Sequence, residues 1–192
     1  MNIVGLLLAA GSASRFGSDK LLYRLPHGVP IAVQAARHLK SELPQVIAAL
    51  RPDSEALARL LSAEGVRVVI CPRAAEGMGA SLACAVHAAA AADAFVVALA
   101  DMPFVRPSSI GAVREALERS AALAAPYWHA RRGHPVGISA RFRDELEALE
   151  GDQGARALLE AHESELVKVP VGDPGVIRDI DQPSDLLPPL MV

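Results

Sequence analysis

Thirteen consecutive residues near the amino end, Leu8-Ala9-Ala10-Gly11-Ser12-Ala13-Ser14-Arg15-Phe16-Gly17-Ser18-Asp19-Lys20, combine small side chains with two cations. Small residues let backbone N–H groups turn inward around an anion. Arg15 offers a planar fork for phosphate oxygens, and Lys20 a mobile point charge. This is the chemistry of a triphosphate grip. The segment contains neither G-x-x-x-x-G-K-[ST] nor G-x-G-x-x-G, so it is not a Walker A loop and it gives a dinucleotide reading little support.

Five further clusters carry chemistry. Asp101 follows the apolar run 94–100, so a carboxylate is delivered at the carboxyl end of a strand, where it suits Mg²⁺ beside phosphate oxygens. Arg178-Asp179-Ile180-Asp181-Gln182-Pro183 sets two carboxylates on one face of an extended segment, with Ile180 on the other. Residues 76–82 pass from a loop into a helix, where free N–H groups and the Ser81 hydroxyl gather. The polar stretches 131–135 and 151–156 add arginines, an aspartate and His134, a set able to hold a phosphorylated molecule. Cys71 and Cys84 have no metal spacing and form no disulfide framework, so they are expected to be core residues in a reducing cytoplasm.

The elements that must position these groups can be read from periodicity. Apolar runs at 3–9, 46–50, 66–70 and 94–100 alternate with helical stretches at 30–43, 53–63, 79–92 and 107–120. Such alternation predicts βα units on a parallel sheet, with right-handed crossovers placing helices on both faces. Beyond residue 126 the pattern loosens into a polar stretch at 128–134, a run at 136–139, helical segments at 141–149 and 154–162, a final run at 166–169, and a terminal turn or helix at 183–189. The expectation is an α/β, Rossmann-like three-layer α/β/α sandwich with a mostly parallel sheet, formed by residues 1–192 as one domain. Ligands of such sheets lie outside the carboxyl ends of the strands.

The totals set limits. The chain has 192 residues, a formal net charge of −3, and 52% hydrophobic against 21% charged residues. That balance excludes a disordered polyelectrolyte, and the absence of a global basic field argues against nucleic acid or anionic lipid as partner. The first apolar run has no preceding Lys or Arg and stops at Gly11, so it is expected to be a buried strand and not a signal or membrane segment.

Together these motifs resemble one family, the nucleotidyltransferases with a MobA-like NTP-transferase domain. The carriers are A-A-G-x-x-S-R-x-G-x-x-K at 9–20, Leu99-Ala100-Asp101-Met102-Pro103, G-M-G-x-S-L at 77–82, R-G-H-P at 132–135, G-D-x-G-A-R at 151–156, and D-x-D-x-P-x-D-L at 179–186. R-G-H-P and G-D-x-G-A-R look most like the branch of molybdenum cofactor cytidylyltransferases and MocA-like proteins. The resemblance implies that Leu8, Ala9, Ala10, Gly11, Ser12, Arg15, Lys20, Gly79 and Ser81 bind the nucleotide. It gives Arg15, Lys20 and Asp101 the catalytic work, and makes Asp101 and Asp181 the Mg²⁺ ligands, with Asp179 an alternative to Asp181. Arg132, His134, Asp152 and Arg156 would hold a molybdopterin-type acceptor, and a molybdoenzyme or its maturation chaperone would receive the product. Ala10, where the guanylyl-transferring branch tends to have glycine, favours CTP over GTP. Phe16 stands where Met is usual, and residues 25–30 match nothing distinctive. Transfer to another phosphorylated acceptor, a non-catalytic delivery module and a NAD-dependent enzyme are the competing readings.

Overall fold

The computed structural model describes residues 1–10 and 20–186. Eight strands form one mixed sheet: β1 (Ile3–Leu8), β2 (Gln45–Leu50), β3 (Arg67–Ile70), β4 (Ala94–Leu99), β5 (Leu123–Trp128), β6 (Arg131–Arg132), β7 (Val136–Ser139) and β8 (Leu166–Pro170). Their order is β3-β2-β1-β4-β7-β5-β6, with β8 parallel to β5. The first four strands are mutually parallel, whereas β7 runs antiparallel to both β4 and β5.

β1 is buried along its whole length, as befits a central strand covered on both faces. Its side chains alternate between two cores. Ile3 and Leu7 pack with α1 (Ile31–Glu42), α2 (Glu55–Ala63) and α4 (Pro107–Glu118), while Val4, Leu6 and Leu8 pack with α3 (Met78–Ala88), α5 (Arg143–Glu147) and α6 (Arg156–Ala161). The three-layer α/β/α architecture follows from this alternation. Pro107 opens α4 at its first turn, a position where the missing N–H costs nothing.

Several local expectations are corrected. The stretch 128–134 contains β6, whose Arg131 and Arg132 pair with Trp128 and Tyr127. The helix expected over 79–92 starts at Met78 and stops at Ala88, after which Ala92 N–H donates to the Ala89 carbonyl in a turn. An unbroken alanine run carries no stop signal to read. Cys71 and Cys84 are joined by a disulfide with Cα atoms 6.0 Å apart. The chain leaves β3 at Ile70, turns through residues 74–76, and returns in α3, which brings residue 84 back over residue 71. That return, not the spacing of 13, makes the pair.

Strand order changes direction at β1. The chain moves from β1 to β2 and β3 on one side, then crosses back to place β4 on the other. The carboxyl ends of β1 and β4 therefore define a switch point, where the loops after them diverge and leave a crevice.

Candidate functional site

The crevice is a cleft of about 440 Å³ at this switch point, lined by Leu8, Ala10, Lys20, Leu21, Arg51, Ala74, Ala75, Glu76, Gly77, Met78, Ser81, Leu99, Asp101 and Asp152. Leu8 and Ala10 enter from β1 and its extension, and Ala9 points to the opposite core. Leu99 ends β4 and Asp101 stands in the turn that follows it. The Ala9 N–H donates to the Ala49 carbonyl and the Ala100 N–H to the Leu8 carbonyl, so the ladder continues up to the lip of the cleft.

Lys20, at the start of a short 3₁₀ turn, is nearly buried, its turn anchored by Leu21 in the core. Its Nζ donates to Asp101 Oδ2 at 2.8 Å, to the Ile180 carbonyl at 2.9 Å and to Asp181 Oδ1 at 3.2 Å. Burial pulls its pKa down, but the hydrogen bonds and charges of Asp101 and then Asp181 outweigh that and leave it above the usual 10.5. Asp181 reaches this point because the Ile180 N–H donates to the Asp101 carbonyl at 3.0 Å, laying the distant segment alongside the β4 loop. Ile180 is fully buried while Asp179 and Asp181 face outward. Of the two carboxylates it is Asp181 that turns to Lys20. The Asp185 carboxylate accepts from the N–H groups of Asp181 and Gln182 and so fixes that turn.

The opposite wall is built of small residues. Gly77 has φ +132°, and a Cβ there would overlap Asp152 and the Gly151 carbonyl, so only glycine fits. The Gly79 N–H donates to the Gly151 carbonyl at 2.7 Å. Gly79 therefore faces the 150–152 loop and does not line the cleft. Ser81 does line it, but lies inside the first turn of α3 with its hydroxyl donating to the Gly77 carbonyl at 3.2 Å.

Of the residues expected to hold an acceptor, only Asp152 lines the cleft. Arg156 is exposed and paired with Glu160 at 2.7 Å. Arg132 lies on β6, outside the cleft wall, within electrostatic reach of Glu160 and His134. His134 is partly buried beside Val97 of β4, and its Nδ1 has no partner among the described residues. Burial, above all, lowers its pKa below 6.5. Gly11, Ser12 and Arg15 lie outside the described residues. Sequence reasoning singled out the stretch 76–82 but missed Arg51 as a lining residue. Arg51 was open to the rule that singled out Asp101, since it directly follows the run ending β2.

Two carboxylates and a backbone carbonyl aimed at one point form an oxygen donor set that fits a hard divalent cation. Among the described residues no three His, Cys, Asp or Glu side chains converge as a metal cluster, so such an ion would need further oxygens from a phosphate. A switch-point cleft is the place where ligands bind in α/β sheets of this kind.

The comparisons with known proteins agree. Residues 5–166 match the MobA-like NTP transferase domain, and the chain belongs to that family of nucleotidyltransferases. It is 32% identical over 151 residues to a probable molybdenum cofactor guanylyltransferase of Thermococcus gammatolerans, covering 76% of this chain and 74% of the relative. It is also 28% identical over 165 residues to nicotine blue oxidoreductase of Paenarthrobacter nicotinovorans, covering 82% and 81%. Among solved structures, Rv0371c of Mycobacterium tuberculosis superposes with a TM-score of 0.82 at 24% identity over 96% of both chains. The manganese complex of Rv0371c superposes with a TM-score of 0.76 at 22% identity, again over 96% of both. At these identities the structural likeness speaks for the fold. Among the described residues no helix is long and apolar enough to cross a membrane.

Proposed function

We propose that the protein transfers CMP from CTP to the terminal phosphate of a molybdopterin-type acceptor, with Mg²⁺ as cofactor. An acceptor phosphate oxygen attacks the α-phosphorus, the bond from that phosphorus to the bridging oxygen of the β-phosphate breaks, and pyrophosphate leaves with the electron pair. The acceptor oxygen is already anionic near neutral pH, so no general base is required. The observation that carries this reading is the convergence of Lys20, Asp101 and Asp181 at the switch point. Asp101 and Asp181 would hold the metal ion, which supplies charge neutralisation on the phosphates as pyrophosphate departs. Arg15 and Lys20 hold the triphosphate, Leu8, Ala10, Gly11, Ser12 and Ser81 form the nucleotide side, and Asp152 faces the acceptor. Catalysis of this kind is positioning and charge stabilisation. The manganese complex of Rv0371c supports a divalent ion in this fold.

Ala10 supports CTP where the Thermococcus relative's name specifies guanylyl transfer. The small-residue wall around Gly77 and Ser81 supports close approach of the nucleoside. A triphosphate substrate supports the cytoplasm as compartment, although the Cys71–Cys84 bond runs against a reducing one. The test is a thermal-shift titration with CTP, GTP, UTP, ATP and NADH, each with Mg²⁺, since a ligand of the native state raises the melting temperature by mass action. CTP is expected to give the largest shift. A larger shift with GTP would overturn the base assignment, and a shift with NADH alone would overturn nucleotidyl transfer in favour of an oxidoreductase.

A further inference from the structure

An ammonium group has three N–H donors and no acceptor. In Lys20 all three have partners: Asp101 Oδ2, the Ile180 carbonyl and Asp181 Oδ1, at 2.8, 2.9 and 3.2 Å. As it stands, Lys20 has no N–H left for a phosphate oxygen. Its partners are hard oxygens, the donor type a divalent ion prefers, and they converge on the point that Lys20 fills. One ammonium against two carboxylates leaves the cluster with a net negative charge, so the arrangement still favours a cation of higher charge.

We propose that Lys20 is the resting occupant of the metal position, and that a metal–triphosphate complex displaces it onto the phosphates. The proposal rests on the nucleotidyl-transfer reading and adds an order of events to it. Metal without triphosphate must strip the ammonium of all three of its oxygen partners without supplying phosphate oxygens in their place, so it binds weakly. Metal with triphosphate provides phosphate oxygens for the displaced ammonium and two extra charges for the carboxylates. Lys20 then opposes the metal when it comes alone and favours the triphosphate when both come together. The Asp101 and Asp181 side chains are more open than Lys20, at 23% and 55% exposure against 10%, so the cluster can be entered from their side.

The test measures Mn²⁺ binding by electron paramagnetic resonance on the wild-type protein, with and without CTP, and on Lys20→Met. Wild-type protein is expected to bind Mn²⁺ weakly alone and tightly with CTP. Lys20→Met should bind Mn²⁺ alone roughly tenfold more tightly than wild type, a typical size for a coupling between two ligands, and should bind CTP more weakly. These opposite signs are what a purely structural lysine would not produce. Adding Asp181→Asn to Lys20→Met should abolish the gain. Equal Mn²⁺ affinity of the wild type with and without CTP would overturn the proposal without any variant, as would a folded Lys20→Met that gains nothing. Failure of the nucleotidyl-transfer reading looks different: no triphosphate shifts the wild-type melting temperature with Mg²⁺, whatever the Mn²⁺ result.

Discussion

The sheet has two halves that treat their charged residues differently. In the parallel half, β1 to β4, each strand ends at the same edge, and Lys20, Arg51 and Asp101 meet there on the wall of one cleft. In the mixed half, β5 to β8, β6 and β7 run against β5 while β8 runs with it, and the polar residues disperse: Arg156 pairs with Glu160 in solvent, Arg132 sits on a two-residue strand, and His134 is partly buried. Parallel strands concentrate whatever follows their carboxyl ends, while antiparallel neighbours send alternate loops to opposite edges. Chemistry is therefore concentrated in the first half, and the second contributes mainly through two loops, around Asp152 and Asp181.

Each half can be challenged separately. The largest effect belongs to the parallel half: Asp101→Ala is expected to slow acceptor-dependent pyrophosphate release by about 10²–10³-fold, the usual cost of removing a preorganised charge. Unchanged turnover would remove Asp101 from the site. Next comes the strap under the cleft. The Cys71–Cys84 bond encloses the segment that supplies residues 74–78 and Ser81, and Cys84→Ser should cost about 3 kcal/mol of unfolding free energy, as a loop of that length predicts, read in urea unfolding. A cost near zero would mean that the bond contributes little.

A smaller effect separates burial from chemistry in the mixed half. Because the pKa of His134 is lowered in the folded state from an ordinary 6.5, the unfolded chain takes up the proton first. Stability is then fully present above pH 6.5 and declines as pH falls toward the folded-state value. The Asp101 charge opposes this shift, and Arg132 reinforces it. His134→Gln should flatten the decline in melting temperature between neutral pH and pH 5, and an unaltered slope would show that other groups set it. The smallest effect is expected at Arg156. Its pair with Glu160 is fully exposed, so Arg156→Ala should leave the melting temperature and CTP binding unchanged. A rise in acceptor KM in that variant would extend the acceptor path to α6.

The same division decides what the sequence disclosed. The parallel half was legible because buried strands read as apolar runs and their helices follow at regular spacing; β1, β2, β4 and α1 fall where periodicity puts them, within a few residues. The two residues of β6 have no apolar pattern of their own, and only pairing with Tyr127 and Trp128 makes them a strand. Asp101 was visible as the residue that follows an apolar run, and Lys20 as the cation that ends the small-residue loop 8–20. Asp181 was visible only through family resemblance, since its place depends on a backbone hydrogen bond from Ile180 to Asp101. The disulfide was hidden for a similar reason: a pair 13 residues apart becomes a contact only when a strand, a turn and a helix fold back on one another.

Nucleotidyl transfer by the switch-point cleft to a phosphorylated acceptor is tested most directly by pyrophosphate release from the wild-type protein with Mg²⁺ and CTP, with and without metal-loaded molybdopterin. Release is expected to require the acceptor, to exceed that with GTP, and to be lost in Asp101→Ala. No release with the loaded acceptor and any triphosphate would contradict nucleotidyl transfer.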